Sequence, residues 1–236
     1  MWVIINFIQA LLILIWTIIA ASTGFIIYII TWSKKAPMVV SHFWGPLLLW
    51  TSGVRLRVTG KENINKNNYY IYVSNHESLM DIPAIFTALP VNVFFVAKKE
   101  LQKVPFLGWF MIMVGMIFID RGNKEKAYES MRKAGQLIKN GRNVISFPEG
   151  TRNTDGKMKM FKRGSFIMAK AGNVSIVPIA IKGAREVLPS EKNKLRPGLI
   201  KLKIGKPISG DQFSKDEVDL FANYVRDQVL EMRNSL

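Results

Sequence analysis

Tyr70-Ile71-Tyr72-Val73-Ser74-Asn75-His76-Glu77-Ser78-Leu79-Met80-Asp81 is the stretch from which the rest of the chain is read. Its beginning, residues 69–74, is β-branched and aromatic, the composition of a buried strand. Asn75 to Ser78 is a polar turn, and Pro83 just beyond suits the first turn of a helix. A strand passing through a turn directly into a helix is the unit of an α/β domain. The alternation continues outward. Short apolar runs at 93–97, 116–119, 143–147, 175–181 and 199–204 read as further strands. Between them, 123–140 reads as a helix with Asn123 as its cap and Gly141 past its end. Residues 166–171 form an apolar helix. Ser214-Lys215-Asp216-Glu217 reads as a capping box opening a last helix to about Met232. The expected fold is a three-layer α/β domain, a mixed β-sheet flanked by helices, with strand order open.

The same stretch carries chemistry. His76 and Asp81 would lie about 140° apart on one continuous helix. They meet only if His76 sits on the turn and Asp81 starts the helix that folds back. A carboxylate on one imidazole nitrogen fixes the tautomer and leaves the other nitrogen to take a proton, the arrangement of a general base. The plainer reading is a turn histidine beside a capping aspartate. Glu77 is nearer in sequence and is expected to be solvated.

A second constellation, Phe147-Pro148-Glu149-Gly150-Thr151-Arg152, follows the 143–147 run. Gly150 permits a tight turn, Arg152 offers a planar fork for phosphate, and Thr151 adds a hydroxyl. Lys162-Arg163-Gly164-Ser165 places a basic pair at the start of the 166–171 helix, suited to an anion or simply solvated.

Toward the amino terminus the character changes. No ionisable side chain precedes Lys34. A helix over this region would run roughly 50 Å, more than the ~30 Å hydrocarbon core requires. The start lacks Lys and Arg and the apolar run is too long for a secretory signal, so a cleaved leader is not expected. After Lys34-Lys35 a second uncharged stretch is interrupted by Pro37, Gly45, Pro46 and Gly53. Two full crossings would put Lys34-Lys35 opposite the basic remainder, against the retention of positive charge in the cytoplasm. The expectation is one tilted or partly inserted helix followed by a broken helix in the interface. Residues 1–54 are therefore read as a membrane-anchoring helical motif and 55–236 as a cytosolic domain. The localisation expected is the cytoplasmic face of a membrane, monotopic or shallowly inserted.

Composition narrows the chemistry. The 236 residues carry 33 Lys and Arg against 17 Asp and Glu, a net charge of +16. The absence of cysteine excludes thiolate metal sites and thiol nucleophiles, and two histidines exclude a multi-histidine metal centre. No metal and no cofactor is called for. The basic surplus suits anionic lipids and anionic substrates, and no nucleic-acid signature accompanies it.

Asn75-His76-x4-Asp81 followed by Phe147-Pro148-Glu149-Gly150-Thr151-Arg152 resembles the glycerolipid acyltransferase family, in its lysophosphatidic acid acyltransferase branch. Ala97-Lys98-Lys99-Glu100-Leu101, with Pro105-Phe106-Leu107-Gly108 and Ile119-Asp120-Arg121, resembles a further family block. Val177-Pro178-Ile179-Ala180 resembles the fourth. Four ordered blocks are far more specific than any one of them.

The resemblance implies that His76 deprotonates the 2-hydroxyl of lysophosphatidic acid, which attacks the thioester of acyl-CoA or acyl-carrier protein. Asp81 would orient His76. Lys98, Arg121 and Arg152 would meet the acceptor phosphate, with Thr151 beside them and Glu149 and Gly150 shaping the loop. Lys99 competes with Lys98. The partners implied are the two substrates and membrane lipids. Glycerol-3-phosphate or another lysophospholipid as acceptor is the alternative within the family. Outside it stand a thioester hydrolase and a membrane-tethered basic binding module; the latter leaves both motifs idle.

Overall fold

In a computed structural model, which describes residues 2–34, 36–120, 122, 124–139, 141–191, 194–214 and 216–236, strands and helices alternate after two apolar helices. In chain order the elements are α1 (Trp2–Thr31), α2 (Ser41–Thr51), β1 (Val54–Thr59), β2 (Ile71–Ser74), α3 (Asp81–Ala88), β3 (Val93–Lys98), α4 (Leu107–Val114) and β4 (Ile117–Ile119). They continue with α5 (Lys124–Lys139), β5 (Asn143–Ser146), α6 (Gly164–Gly172), β6 (Ile176–Lys182), α7 (Ala184–Val187), β7 (Gly198–Ile204) and α8 (Val218–Asn234).

The seven strands form one sheet in the order β1-β7-β6-β2-β5-β3-β4. It is mixed, as expected. β6 and β7 are antiparallel, and every other neighbouring pair is parallel. β2, at the centre, is buried on both faces. Tyr72 belongs to the core beneath α2, α3 and α4, while Ile71 and Val73 belong to the core beneath α5, α6 and α8. Full burial of an Ile or Val side chain contributes about 1.5–3 kcal/mol, so a strand lined on both faces fixes the register of its neighbours.

The sequence reading missed β1. Its Val54, Leu56 and Val58 alternate with Arg55, Arg57 and Thr59, a half-buried edge-strand pattern. Its parallel partner β7 lies near the other end of the chain, so no local signal announces the pairing. α4 and α7 were not anticipated either. The last helix starts at Val218, later than the capping box implied, although the Ser214 amide does donate to Glu217 Oε2 at 2.7 Å. The Asn123 cap lies outside the described residues.

The broken apolar stretch is a 3-10 turn (Ala36–Val40) leading into α2, which contains Pro46. α2 packs closely on α3. A Cβ at Gly45 would sit 2.9 Å from the Pro83 carbonyl oxygen, so only glycine permits this approach. Met38, Leu48 and Leu49 are thereby buried in the domain core, while Phe43 and Trp50 face outward.

Candidate active site

β2 and β5 are parallel neighbours with Val73 opposite Ser146. Both motifs therefore leave the sheet side by side at the carboxyl ends of their strands, where parallel α/β sheets place their sites. The two loops are bolted together through the main chain of His76. Its amide donates to Glu149 Oε1 at 2.7 Å, and its carbonyl accepts from the Asn153 amide at 2.9 Å. Asn75 fastens the turn to β6, exchanging two 2.8 Å hydrogen bonds with the Ile181 amide and carbonyl.

The turn reverses as the spacing required. Asp81 opens α3 and is fully buried. Its Oδ2 meets His76 Nδ1 at 2.8 Å and accepts from the amides of Glu77 at 2.8 Å and Ser78 at 2.9 Å. With Nδ1–H committed to Asp81, the Nε2 lone pair is left to accept a proton. The imidazole stacks on Phe147, centroids 4.0 Å apart and planes within 12°, so the second motif orients the histidine of the first.

Glu149 is buried and bridges two segments, Oε1 to the His76 amide and Oε2 to the Lys159 amide at 2.8 Å. Burial holds its carboxyl above the usual carboxylate range, although those two amides and the nearby positive charge pull it part of the way back. Gly150 has φ +80°, and a Cβ there would meet Lys162 Nζ at 2.9 Å. The basic pair therefore divides. Lys162 lies against the loop, whereas Arg163 pairs with Asp219 of α8.

Glu77 corrects the sequence reading. It is 1% exposed rather than solvated, and Arg233 of α8 pairs with its Oε1 at 2.6 Å. Arg233 also donates to the Gly156 carbonyl at 3.2 Å, so one side chain ties both loops to the last helix. Burial pushes the Glu77 carboxyl up to about 7 despite the pull of Arg233. Between its ordinary value near 4.5 and about 7 the folded protein holds a proton that the unfolded chain releases. Stability is therefore expected to fall as pH rises through that window. Glu77→Gln removes this titration. The wild-type melting temperature, taken relative to the variant's, should drop between pH 5 and pH 8; a pH-independent difference would show that Glu77 titrates normally.

A cavity of about 790 Å³ opens beside this constellation. His76, Lys98, Gly150, Thr151 and Arg152 line its polar part. Phe86, Phe95, Phe110 and Met111 line its apolar part, and Thr17, Ala20 and Ala21 of α1 contribute a wall. Arg152 has no carboxylate partner among the described residues. Lys98 lies in the lining and pairs with Glu100 at 3.2 Å; Lys99 pairs with Asp120 at 3.2 Å and is not in the lining. Thr151 Oγ1 accepts from Lys159 Nζ at 3.0 Å. Arg121 lies outside the described residues.

Residues 55–182 match the Acyltransferase family, and the chain belongs to that family. The resemblances are more particular than the family. The crystal structure of the 1-acyl-sn-glycerophosphate (LPA) acyltransferase PlsC from Thermotoga maritima superposes with a TM-score of 0.83 at 27% identity, covering 98% of this chain and 96% of that one. A 1-acyl-sn-glycerol-3-phosphate acyltransferase of Saccharomyces cerevisiae is 36% identical over 76% of this chain and 60% of its own length. The Mus musculus alpha enzyme of the same name is 32% identical over 75% of this chain and 63% of its own. The chain thus spans about three-fifths of these curated relatives.

Proposed function

We propose that the protein transfers a fatty acyl group from an acyl thioester to the sn-2 hydroxyl of 1-acyl-sn-glycerol-3-phosphate, giving phosphatidic acid. The observation that carries this reading is the His76–Asp81 pair with His76 lining a cavity that combines cationic groups, Arg152 and Lys98, with a largely apolar wall. An amphiphilic anionic acceptor matches that polarity. Arg152, with Lys98, holds the phosphate, and the apolar part takes acyl chain.

His76 Nε2 takes the proton of the 2-hydroxyl as its oxygen attacks the thioester carbonyl. The tetrahedral intermediate collapses, the carbon–sulfur bond breaks, and the proton passes from Nε2 to the departing thiolate. Asp81 stabilises the imidazolium formed between these steps. Glu149 holds the His76 main chain, so its role is positioning.

The deciding experiment offers purified protein lysophosphatidic acid with acyl-CoA and acyl-carrier-protein donors and identifies the lipid formed. Thiol release that rises with lysophosphatidic acid, yielding phosphatidic acid, supports transfer. Release independent of acceptor would make the protein a hydrolase, and acylation of glycerol-3-phosphate instead would move it within the family.

The anchor reading is that α1 enters one leaflet from the cytoplasmic side without crossing. α1 is long and apolar enough to cross a membrane. It is nevertheless held along the α/β domain: Asn6 Nδ2 donates to Leu195 O at 2.8 Å, Trp44 Nε1 to Thr17 Oγ1 at 3.1 Å, and Gly24 abuts Phe110. From Asn6 to Gly24 the axis advances about 27 Å, so a perpendicular crossing would drag the domain through most of the hydrocarbon layer. Inclined, shallow insertion avoids that. Single cysteines at Ser33 and at Glu62, in a chain with none of its own, are expected to label from the same, cytosolic, side. Labelling of position 33 only from the opposite side would establish a crossing.

A further inference from the structure

We infer that the outer side of α4, with the turn that precedes it, is a second bilayer-contacting surface that holds the cavity wall at lipid depth. This rests on the membrane reading of α1 and extends it to the α/β domain itself.

The eight residues of α4, Leu-Gly-Trp-Phe-Met-Ile-Met-Val, include no polar side chain. Side chains advance 100° per residue, so they separate into three directions. Leu107 and Met111 line the cavity, and Phe110 lines it where it meets α1. Phe110 is turned to α1, where a Cβ on Gly24 would lie 2.4 Å from its ring. Trp109 and Ile112 point away from both and are 59% and 50% exposed. Phe106, one turn before Phe110, is 46% exposed and packs on Trp109 with centroids 5.4 Å apart. Val104, just after the 3-10 turn Lys99–Lys103, is exposed as well, and Leu101 within that turn is partly exposed while also lining the cavity.

Scattered exposed apolar residues are ordinary, but a contiguous group including Trp and Phe marks an interaction surface. Its continuity with α1 identifies the occupant. On α1 the residues just after the Gly24–Phe110 contact, Phe25, Ile26 and Ile29, are all more than half exposed. The exposed side of the helix and the patch flank the same Gly24–Phe110 contact, so the medium that surrounds α1 borders α4. The border has the chemistry of a headgroup layer: exposed Lys103 stands beside the Lys98–Glu100 and Lys99–Asp120 ion pairs, and Trp109 is the residue type that settles at the interface. The bilayer is the partner this face fits. Seated there, α4 has lipid on one side and the cavity on the other, which holds the cavity wall at the depth at which a lysophospholipid resides.

The test uses the full chain with single cysteines at Trp109, Ile112, Phe25 and Asp227, each carrying an environment-sensitive fluorophore. Phe25 reports α1, and Asp227, exposed on α8, reports the aqueous side. Vesicles of phosphatidylcholine with phosphatidylglycerol carry nitroxide lipids, and iodide serves as the aqueous quencher. Labels at 109, 112 and 25 are expected to be quenched by nitroxide and protected from iodide, and the label at 227 the reverse. Iodide quenching at 109 and 112 with lipid quenching at 25 would overturn the α4 surface and leave the α1 anchor standing. Lipid quenching absent at all positions would overturn both. Protection of 109 and 112 from both quenchers would mean a protein partner and would also overturn the inference. A functional arm supports the same point. Trp109→Glu with Ile112→Glu is expected to lower activity on vesicle-borne acceptor by about tenfold, because carboxylates must be kept out of hydrocarbon. Activity on a short-chain monomeric acceptor should be unchanged; equal losses on both acceptors would argue against the surface.

Discussion

His76→Ala is expected to lower the acyl transfer rate by about 10² to 10⁴, the usual worth of a positioned general base. The protein should stay folded, because the imidazole packs on one face against Phe147 and its removal leaves the main-chain bonds of residue 76 to Glu149 and Asn153 in place. Asp81→Asn should lose comparable activity by a different route. An amide neither stabilises an imidazolium as a carboxylate does nor enforces the Nδ1–H tautomer. It should also cost stability, because Asp81 Oδ2 accepts from two backbone amides as well as from His76. The pair is therefore separable by two measurements: turnover falls in both variants, and the melting temperature falls further in Asp81→Asn than in His76→Ala. A folded His76→Ala protein with near-wild-type turnover would remove the mechanism.

Arg152→Ala is expected to raise the KM for lysophosphatidic acid by roughly 10- to 150-fold, corresponding to about 1.5–3 kcal/mol for a hydrogen bond to a charged group. Arg152 lines the cavity with His76 and has no carboxylate partner among the described residues, so its charge is available to the acceptor phosphate. Arg152→Lys should recover only part, since an ammonium does not reproduce the two-pronged contact. Lys98→Ala should have the smaller effect, because Lys98 is already shared with Glu100 and is more than half exposed. A loss confined to the donor's KM would place the phosphate elsewhere.

Much of this site was legible because both motifs are local. A strand, a polar turn and a helix start are written within residues 69–83, and the spacing from His76 to Asp81 demanded a reversal that Asp81 at the head of α3 supplies. The Phe-Pro-Glu-Gly-Thr-Arg run advertised its glycine and its arginine in the same way. Glu77 was misread for the opposite reason. Its partner Arg233 sits on α8, near the far end of the sequence, and a carboxylate next to a turn looks solvated until the helix that covers it is known. The sequence marks Glu149 as shaping its loop, but that it holds the His76 amide depends on β2 and β5 being neighbours.

Periodicity and composition by themselves determined the α/β alternation, the apolar start, the lack of thiol chemistry and the two polar loops, since each depends on residues within a turn or two of one another. Tertiary structure alone decided the rest. It set the strand order, added the edge strand β1, put Lys98 rather than Lys99 in the cavity lining, and made α1 and α4 walls of one cavity. These are contacts between segments far apart in the chain, specified by which buried faces fit together. No local pattern encodes that fit, because the free energy favouring it appears only when both surfaces leave water together.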